Sequence, residues 1–192
     1  MAKSSQDRLA LVRDYGSVAA LVQNGVVFLI NNPTIDTGVT GQTSYVATTP
    51  TFTLRNVGPR MLVPLYAQLY QTGTVAGATI FVNVSTLETG QFTSGTQMTP
   101  VNANQHVSQG ATVLAYHTST LPAFTTGNQR FIAGARLTQT VTAYQEYYPF
   151  EAFPTPGFCA VAPGGQLDLY TYAATTGPTW NFNIMWAELE TR

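Results

Sequence analysis

The sequence predicts an all-β protein: an antiparallel β-sandwich, jelly-roll-like, preceded by a short N-terminal helical arm. Two observations support this fold class. From Val26 onward, apolar and polar side chains repeatedly alternate with the period of two that strands require. Turns that contain glycine, such as SGT, TGN and PGG, separate these stretches. No repeat of fixed period is visible, which argues against a propeller or a β-solenoid.

The strand pattern is met, in chain order, by residues 26–30, 50–56, 62–71, 79–86, 112–118, 136–148, 166–173 and 179–190. The last stretch is the clearest, because Trp180, Phe182, Ile184 and Trp186 occupy alternate positions. Pro64 has no backbone N–H and therefore indicates an edge strand or a bulge. Residues 89–111 lack a firm period, and we expect a long exposed loop there, a common place for recognition.

The first 25 residues differ from the rest, so we divide the chain into an arm (1–25) and a β-sandwich domain (26–192). Lys3, Asp7, Arg8, Arg13 and Asp14 make the start unusually rich in charge. Residues 6–15 are predicted to form a short helix that Ser4 or Ser5 can cap and that Gly16 ends. This helix either docks on a partner, through residues such as Leu9, Val12 and Arg13, or packs on its own domain.

Charged residues make up only 9% of the chain, against about 25% in a typical soluble domain. Threonine, glycine, serine, asparagine and glutamine take their place. Hydroxyl and amide groups are easier to desolvate than ions, so this composition favours surfaces that end up against other subunits. A Thr-rich β-protein with no such role is the alternative, because β-propensity alone enriches threonine.

Several partners are excluded by charge and hydropathy. The net charge is −1 and Lys3 is the only lysine, so no basic stripe exists to neutralise the phosphates of nucleic acid. The start of the chain does not resemble a signal peptide, and no apolar run approaches the roughly 18 residues of a membrane span. We expect a soluble product made in a cytoplasm.

Cys159 is the only cysteine, and its apolar neighbours favour a buried, inert thiol.

The ionisable residues fit no recognised catalytic, metal-binding or cofactor-binding motif, so we predict a protein that is not an enzyme and binds no cofactor. A triad of His117, a serine and Asp168 is the least favoured alternative, since composition alone cannot establish a triad. Glu188 and Glu190, which end the last strand, are expected to be solvated or paired with arginine. The arginines of the body are expected to pair with acids or carbonyls: Arg55, Arg60, Arg130 and Arg136.

Aromatic residues and prolines concentrate in 144–158, YQEYYPFEAFPTPGF. Tyrosine on a rigid strand end gives a large contact area at small entropic cost, which suits a subunit interface or a platform for stacking sugars. An ordinary core corner is the third interpretation. The interface candidates in this segment are Tyr144, Tyr147, Tyr148, Phe150 and Phe153.

The arm SSQDRLALVRDYG and the Thr/Gly-rich body from VVFLINNPTIDTG to WNFNIMWAELETR resemble the decoration or cement proteins of tailed bacteriophage virions. That resemblance implies a jelly-roll-like capsid component, present in the virion after synthesis in the host cytoplasm. It also implies a homo-oligomer, a trimer, that contacts other capsid proteins. Two alternatives stay open: a receptor- or glycan-binding knob of a phage tail or spike that uses 144–158 and 89–111, and a single-jelly-roll capsid protein.

Overall fold

The computed structural model describes residues 18–32, 34, 37–72, 75, 79–89, 91–123, 129–138, 150–152 and 159–190. Its one described helix is α1 (Val18–Gln23). The strands are β1 (Val27–Asn31), β2 (Val39–Thr40), β3 (Phe52–Asn56), β4 (Arg60–Gln71), β5 (Thr79–Leu87), β6 (Ser94–Met98), β7 (Val101–Asn102), β8 (Val113–Thr120), β9 (Gln129–Thr138), β10 (Phe150–Ala152), β11 (Gln166–Ala173) and β12 (Thr179–Glu190).

The strands form two sheets, and every strand pairing described is antiparallel. The first sheet has the order β10-β4-β12-β1-β7, with β2 beside the start of β12. The second sheet has the order β6-β8-β3-β11-β5-β9. The two sheets pack against each other, which confirms the all-β sandwich.

Four nested pairs give the topology. The pairs are nested along the chain, as in one long hairpin: β1 pairs with β12, β3 with β11, β4 with β10 and β5 with β9. The additional pairs β4·β12 and β5·β11 roll this hairpin into two layers. A rolled hairpin whose strands are shared between two sheets is a jelly roll. Strands β6, β7 and β8 are additions between β5 and β9.

The core lies between the sheets and follows the predicted alternation. Trp180, Phe182, Ile184 and Trp186 of β12 are all buried. The ring centroids of Phe52, on β3, and Phe182 are 4.5 Å apart, so aromatic contact joins the two layers. On β5 the inward side chains are aliphatic and equally buried: Ile80, Val82 and Val84.

Two predictions of local structure were wrong. Residues 89–111 are not all loop, because β6 extends the second sheet beside β8 and β7 extends the first beside β1. The side chains of β6 are exposed apart from Met98, so their sequence carries no hydrophobic period. The strand expected at 136–148 begins seven residues earlier, since β9 is Gln129–Thr138, and the remainder of that prediction, 139–148, lies outside the described residues.

Pro64 lies in β4, an internal strand between β10 and β12. The register of β4 with β12 shifts there: Met185 is opposite Tyr66, whereas Trp186 is opposite Pro64. Of the two predicted explanations for this proline, the structure therefore has the bulge, which makes room for a residue without an N–H.

Helix α1 covers one end of the outer face of the first sheet. Leu21 and Val22 pack against Val27, Leu65 and Ala187. The arm's predicted helix at 6–15, with Leu9, Val12 and Arg13, lies outside the described residues. In the part of the chain that is described, no helix has the length and apolar character to cross a bilayer.

Candidate interaction surface

The outer face of the first sheet, beyond α1, presents side chains from four strands in register. Because alternate residues of β12 point inward, Met185, Asn183 and Asn181 point outward. Pairing extends each of them into a row across neighbouring strands. We name this surface the amide face; its rows are Val101–Leu29–Met185–Tyr66, Asn31–Asn183–Gln68 and Asn181–Tyr70.

No side chain in these three rows is ionisable at neutral pH. The row nearest α1 is mostly apolar, the next consists of amides, and the last combines an amide with a tyrosine. Val101 is 50% exposed and Tyr70 is 42% exposed, at diagonally opposite corners of the face. Glu151 of β10 is in register with Gln68 and is the first charged residue beyond the rows.

The amide groups at one margin of the face are held in place. Asn32 Oδ1 accepts the backbone N–H of Phe182 at 2.7 Å, and Asn32 Nδ2 donates to Thr37 O at 2.9 Å. Asn32 Nδ2 also donates to Asn181 Oδ1. In the centre of the face, Asn183 Oδ1 is a buried acceptor with no hydrogen-bond partner among the described residues. The surface thus combines fixed and unused hydrogen-bonding groups.

None of the predicted interface residues is placed in the rows of the amide face by the described part of the chain. Phe150 belongs to β10, at the edge of the same sheet, where it is in register with Leu69, a core residue. The other aromatic candidates, Tyr144, Tyr147, Tyr148 and Phe153, lie outside the described residues, as does the arm. The alternation with Trp180, Phe182 and Ile184 places Asn181, Asn183 and Met185 on the opposite face of their strand, but a single sequence does not show that Asn31 and Gln68 lie beside them.

The second sheet carries a buried carboxyl on its outer face. Asp168, on β11, is in register with Thr53 on β3 and Ser85 on β5. It accepts hydrogen bonds from Thr53 Oγ1 at 2.8 Å and from Gln166 Nε2 at 2.9 and 2.8 Å. Complete burial raises the pKa of Asp168 to about 7, although both hydrogen-bonding partners favour the ionised form.

His117 and Asp168 do not form the triad that was weighed as an alternative. His117 is in register with Phe52 and Asp168 with Thr53, so their side chains belong to adjacent rows and opposite faces of the sheet. The Nδ1 atom of His117 lies 3.0 Å from Thr118 Oγ1. Partial burial lowers the pKa of His117.

Glu188 is not solvated or paired with arginine, as the sequence suggested. Its carboxylate is buried and accepts hydrogen bonds from Thr112, immediately before β8, and from Val113, the first residue of β8. Thr112 donates through its N–H, at 2.9 and 3.0 Å, and through Oγ1, at 2.6 Å, while the N–H of Val113 donates at 3.0 Å. The acid satisfies backbone donors at a strand start, which sequence does not reveal. Glu190 is exposed.

Aromatic side chains also cover part of the outer face of the second sheet. Tyr45 lies 5.1 Å from Tyr170 and 5.7 Å from Tyr172, and Tyr172 stacks on Phe81 at 5.0 Å, all between ring centroids. Tyr170 donates its hydroxyl to Ala47 O at 2.8 Å, so the segment before β3 crosses this face. The sequence did not identify this cluster, because its members come from three distant segments.

Two of the arginines that were predicted to pair with acids or carbonyls make different contacts. Arg130 forms the predicted ion pair with an acid, Glu88, but both side chains are largely exposed, so the contribution to stability is small. The guanidinium of Arg55 lies 5.9 Å from the centroid of the Phe92 ring, a cation–π contact that was not expected.

Cys159 is partly buried beside the core, and burial raises its pKa to about 11. This agrees with an inert thiol, although its burial is incomplete.

Within the described segments, no group of three His, Cys, Asp or Glu side chains is placed to hold a metal ion. Comparison with protein-family models, with curated proteins and with solved structures found no match to this chain.

Proposed function

We propose that this protein is a non-enzymatic structural component of a virion, a decoration or cement subunit. It oligomerises, as a trimer by its resemblance to such proteins, and stabilises contacts between capsid subunits. The observation that carries this proposal is the amide face, an uncharged surface that continues across four strands.

The composition of this face suits burial against another protein. Moving an amide or hydroxyl from water costs far less than moving an ion, and a partner's hydrogen bonds can offset that cost. Tyr66 and Tyr70 add contact area with few rotatable bonds.

The buried acids support a structural role. Asp168 and Glu188 are the ionisable side chains that stand out by burial, and both are hydrogen-bonded within the fold. Their contacts join strands or satisfy a strand start. Acids used in this way contribute to the architecture of the sandwich.

Co-sedimentation with empty phage heads tests the proposal. Gln68→Glu and Tyr70→Glu place charge in the amide face and should weaken capsid binding at least tenfold, because a charge in a closed interface is costly to desolvate. Gln97→Glu, on the exposed strand β6 of the other sheet, is the matched control. Wild-type protein that fails to bind heads, or face variants that bind like the control, would contradict the proposal.

Removal of residues 1–16 tests the arm separately. A body that folds but binds heads poorly would support an arm that grips a partner. Undiminished binding would restrict the contact to the sandwich.

A single-jelly-roll capsid protein is the second candidate, and the rolled-hairpin topology favours it. A capsid subunit of this kind assembles with its own copies and needs no pre-existing head. Closed particles formed by the purified protein alone, seen by electron microscopy, would replace the first proposal with this one.

A further inference from the structure

Asp168 lies where a β-sandwich normally meets solvent, yet it is inaccessible. On this outer face of the second sheet, Thr53, Ser85 and Gln166 are also fully buried. The acid therefore lies in the middle of a covered polar cluster that joins three neighbouring strands, β3, β11 and β5.

The cluster offers neutral donors only. Asp168 is hydrogen-bonded by one hydroxyl and one amide, and it makes no ion pair with any residue that the structure describes. A buried carboxylate without a cation is strongly disfavoured relative to the neutral acid. Glu188 differs, because two backbone N–H groups and a hydroxyl donate to its carboxylate.

The charged and titratable groups that the structure describes around Asp168 do not remove this cost. On the same face, Arg55 of β3 is in register with Gln166, and its guanidinium lies over Phe92. Tyr116 of β8 continues the row beyond Thr53, and Tyr170 follows on β11 with its hydroxyl bonded to Ala47 O. The strand β5 contributes Ser85, and its neighbour β9 carries Arg130, which is paired with Glu88, and Arg136, which is in register with Phe81.

The Gln166 side chain can serve both forms of the acid. Its Nε2 faces both carboxylate oxygens, while its Oε1 is buried and has no hydrogen-bond partner in the described part of the chain. A half-turn of the amide exchanges these two atoms and gives a protonated Asp168 hydroxyl an acceptor. Protonation therefore needs no rearrangement of the strands.

We propose that Asp168 is a proton-controlled lock in the second sheet: the neutral acid holds β3 to β11, and ionisation loosens this pairing. The lock closes as pH falls and opens as pH rises through neutrality. This proposal goes beyond the proposed assembly role, and it does not depend on which partner the protein contacts.

The sign follows from proton linkage. The unfolded chain loses the Asp168 proton near pH 3.8, whereas the folded protein keeps it until about pH 7. Between these values the unfolded state binds fewer protons, so the unfolding constant rises with pH by about tenfold per unit. Below and above this window Asp168 adds no pH dependence.

Asp168→Asn tests the lock, because asparagine keeps the shape and cannot ionise. Chemical denaturation of both proteins from pH 4 to 8 should show the unfolding constant of wild type rising relative to that of the variant by about tenfold per pH unit up to about pH 7 and levelling off above it. Glu88→Gln removes an exposed carboxylate at the end of β5 and is the control. It should keep the wild-type pH profile, and parallel profiles for wild type and Asp168→Asn would overturn the proposal.

Two measurements on wild type keep the test decisive if Asp168→Asn does not fold. Infrared spectroscopy should show the C=O stretch of a protonated carboxylic acid at pH 6 that disappears by pH 9. Hydrogen exchange should show that the amides of Leu54 and Leu167 open more often at pH 8 than at pH 6, after the pH dependence of the intrinsic exchange rate is taken into account. Absence of the protonated acid at pH 6, or pH-independent opening, would refute the lock.

Discussion

The carboxylate of Glu188, at the end of β12, accepts a 2.6 Å hydrogen bond from Thr112 Oγ1, immediately before β8. The two residues belong to different sheets, and Glu188 also accepts the N–H groups of Thr112 and Val113. One side chain therefore ties the first sheet to the start of a strand in the second. Gly58 lies close to this junction, since a Cβ there would be 2.1 Å from Thr112 Oγ1.

Glu188→Ala should destabilise the protein by about 3 kcal/mol or more, because it leaves buried N–H donors without an acceptor. Glu188→Gln should cost less, since its Oε1 can still accept both N–H groups and its Nε2 can donate to Thr112 Oγ1. Urea denaturation measures both changes, with Glu190→Gln at the exposed strand end as the control. Equal losses of stability in Glu188→Ala and Glu188→Gln would show that the hydrogen bonds accepted at this position do not stabilise the fold.

Cys159 should react slowly with iodoacetamide in the native protein. The thiolate is the reactive form, and a pKa raised from 9.0 to about 11 lowers its fraction at pH 7–8 about 100-fold. The native rate should rise about tenfold per pH unit up to pH 10, whereas labelling of the urea-unfolded chain should level off near pH 9.

A matched control for Cys159 is Ser108→Cys in a Cys159→Ala background, because residue 108 is exposed. The introduced thiol should react at nearly the same rate in the folded and unfolded chains. If native Cys159 reacts as fast as this control, burial does not suppress its ionisation.

Strands that are buried by alternation could be predicted closely from the sequence. The predicted bounds of β11 and β12, 166–173 and 179–190, are those observed. Strands β6 and β7 escaped prediction because their pairing comes from backbone hydrogen bonds to β8 and β1, while most of their side chains face solvent. An alternation of apolar and polar residues reveals a strand only when one of its faces is buried, and β6 and β7 bury almost no side-chain surface.

The amide face and the buried acids depend on register, which a single sequence does not contain. Asn31, Gln68 and Asn183 become neighbours only because β1, β12 and β4 pair with one particular alignment. Likewise, Asp168 is buried because the outer face of its sheet is covered. Sequence predicted the alternation along each strand, but the environment of each outward side chain is set by distant segments.

Gly25 should not tolerate alanine. It follows α1 with a φ of +68°, and an added Cβ would lie 2.7 Å from Val107 Cγ1. A left-handed backbone and a collision with a β-branched side chain should together cost about 1–2 kcal/mol. Gly110→Ala is the control, since a Cβ there would meet no atom within 4 Å. Thermal unfolding should separate the two, and equal melting temperatures would contradict the strain at Gly25.

Phe52 and Phe182 should be energetically coupled, because their rings join the two sheets at a centroid distance of 4.5 Å. Phe52→Leu and Phe182→Leu should each destabilise the protein, and the double variant should lose about 1 kcal/mol less than the sum. A cycle of Phe52→Leu with Val101→Ala is the control, since Val101 lies on the outer face of the first sheet and shares no partner with Phe52. It should be additive within about 0.5 kcal/mol. Additivity in the aromatic cycle as well would mean that the two rings contribute only through separate burial, and that the layers are held by shape and area alone.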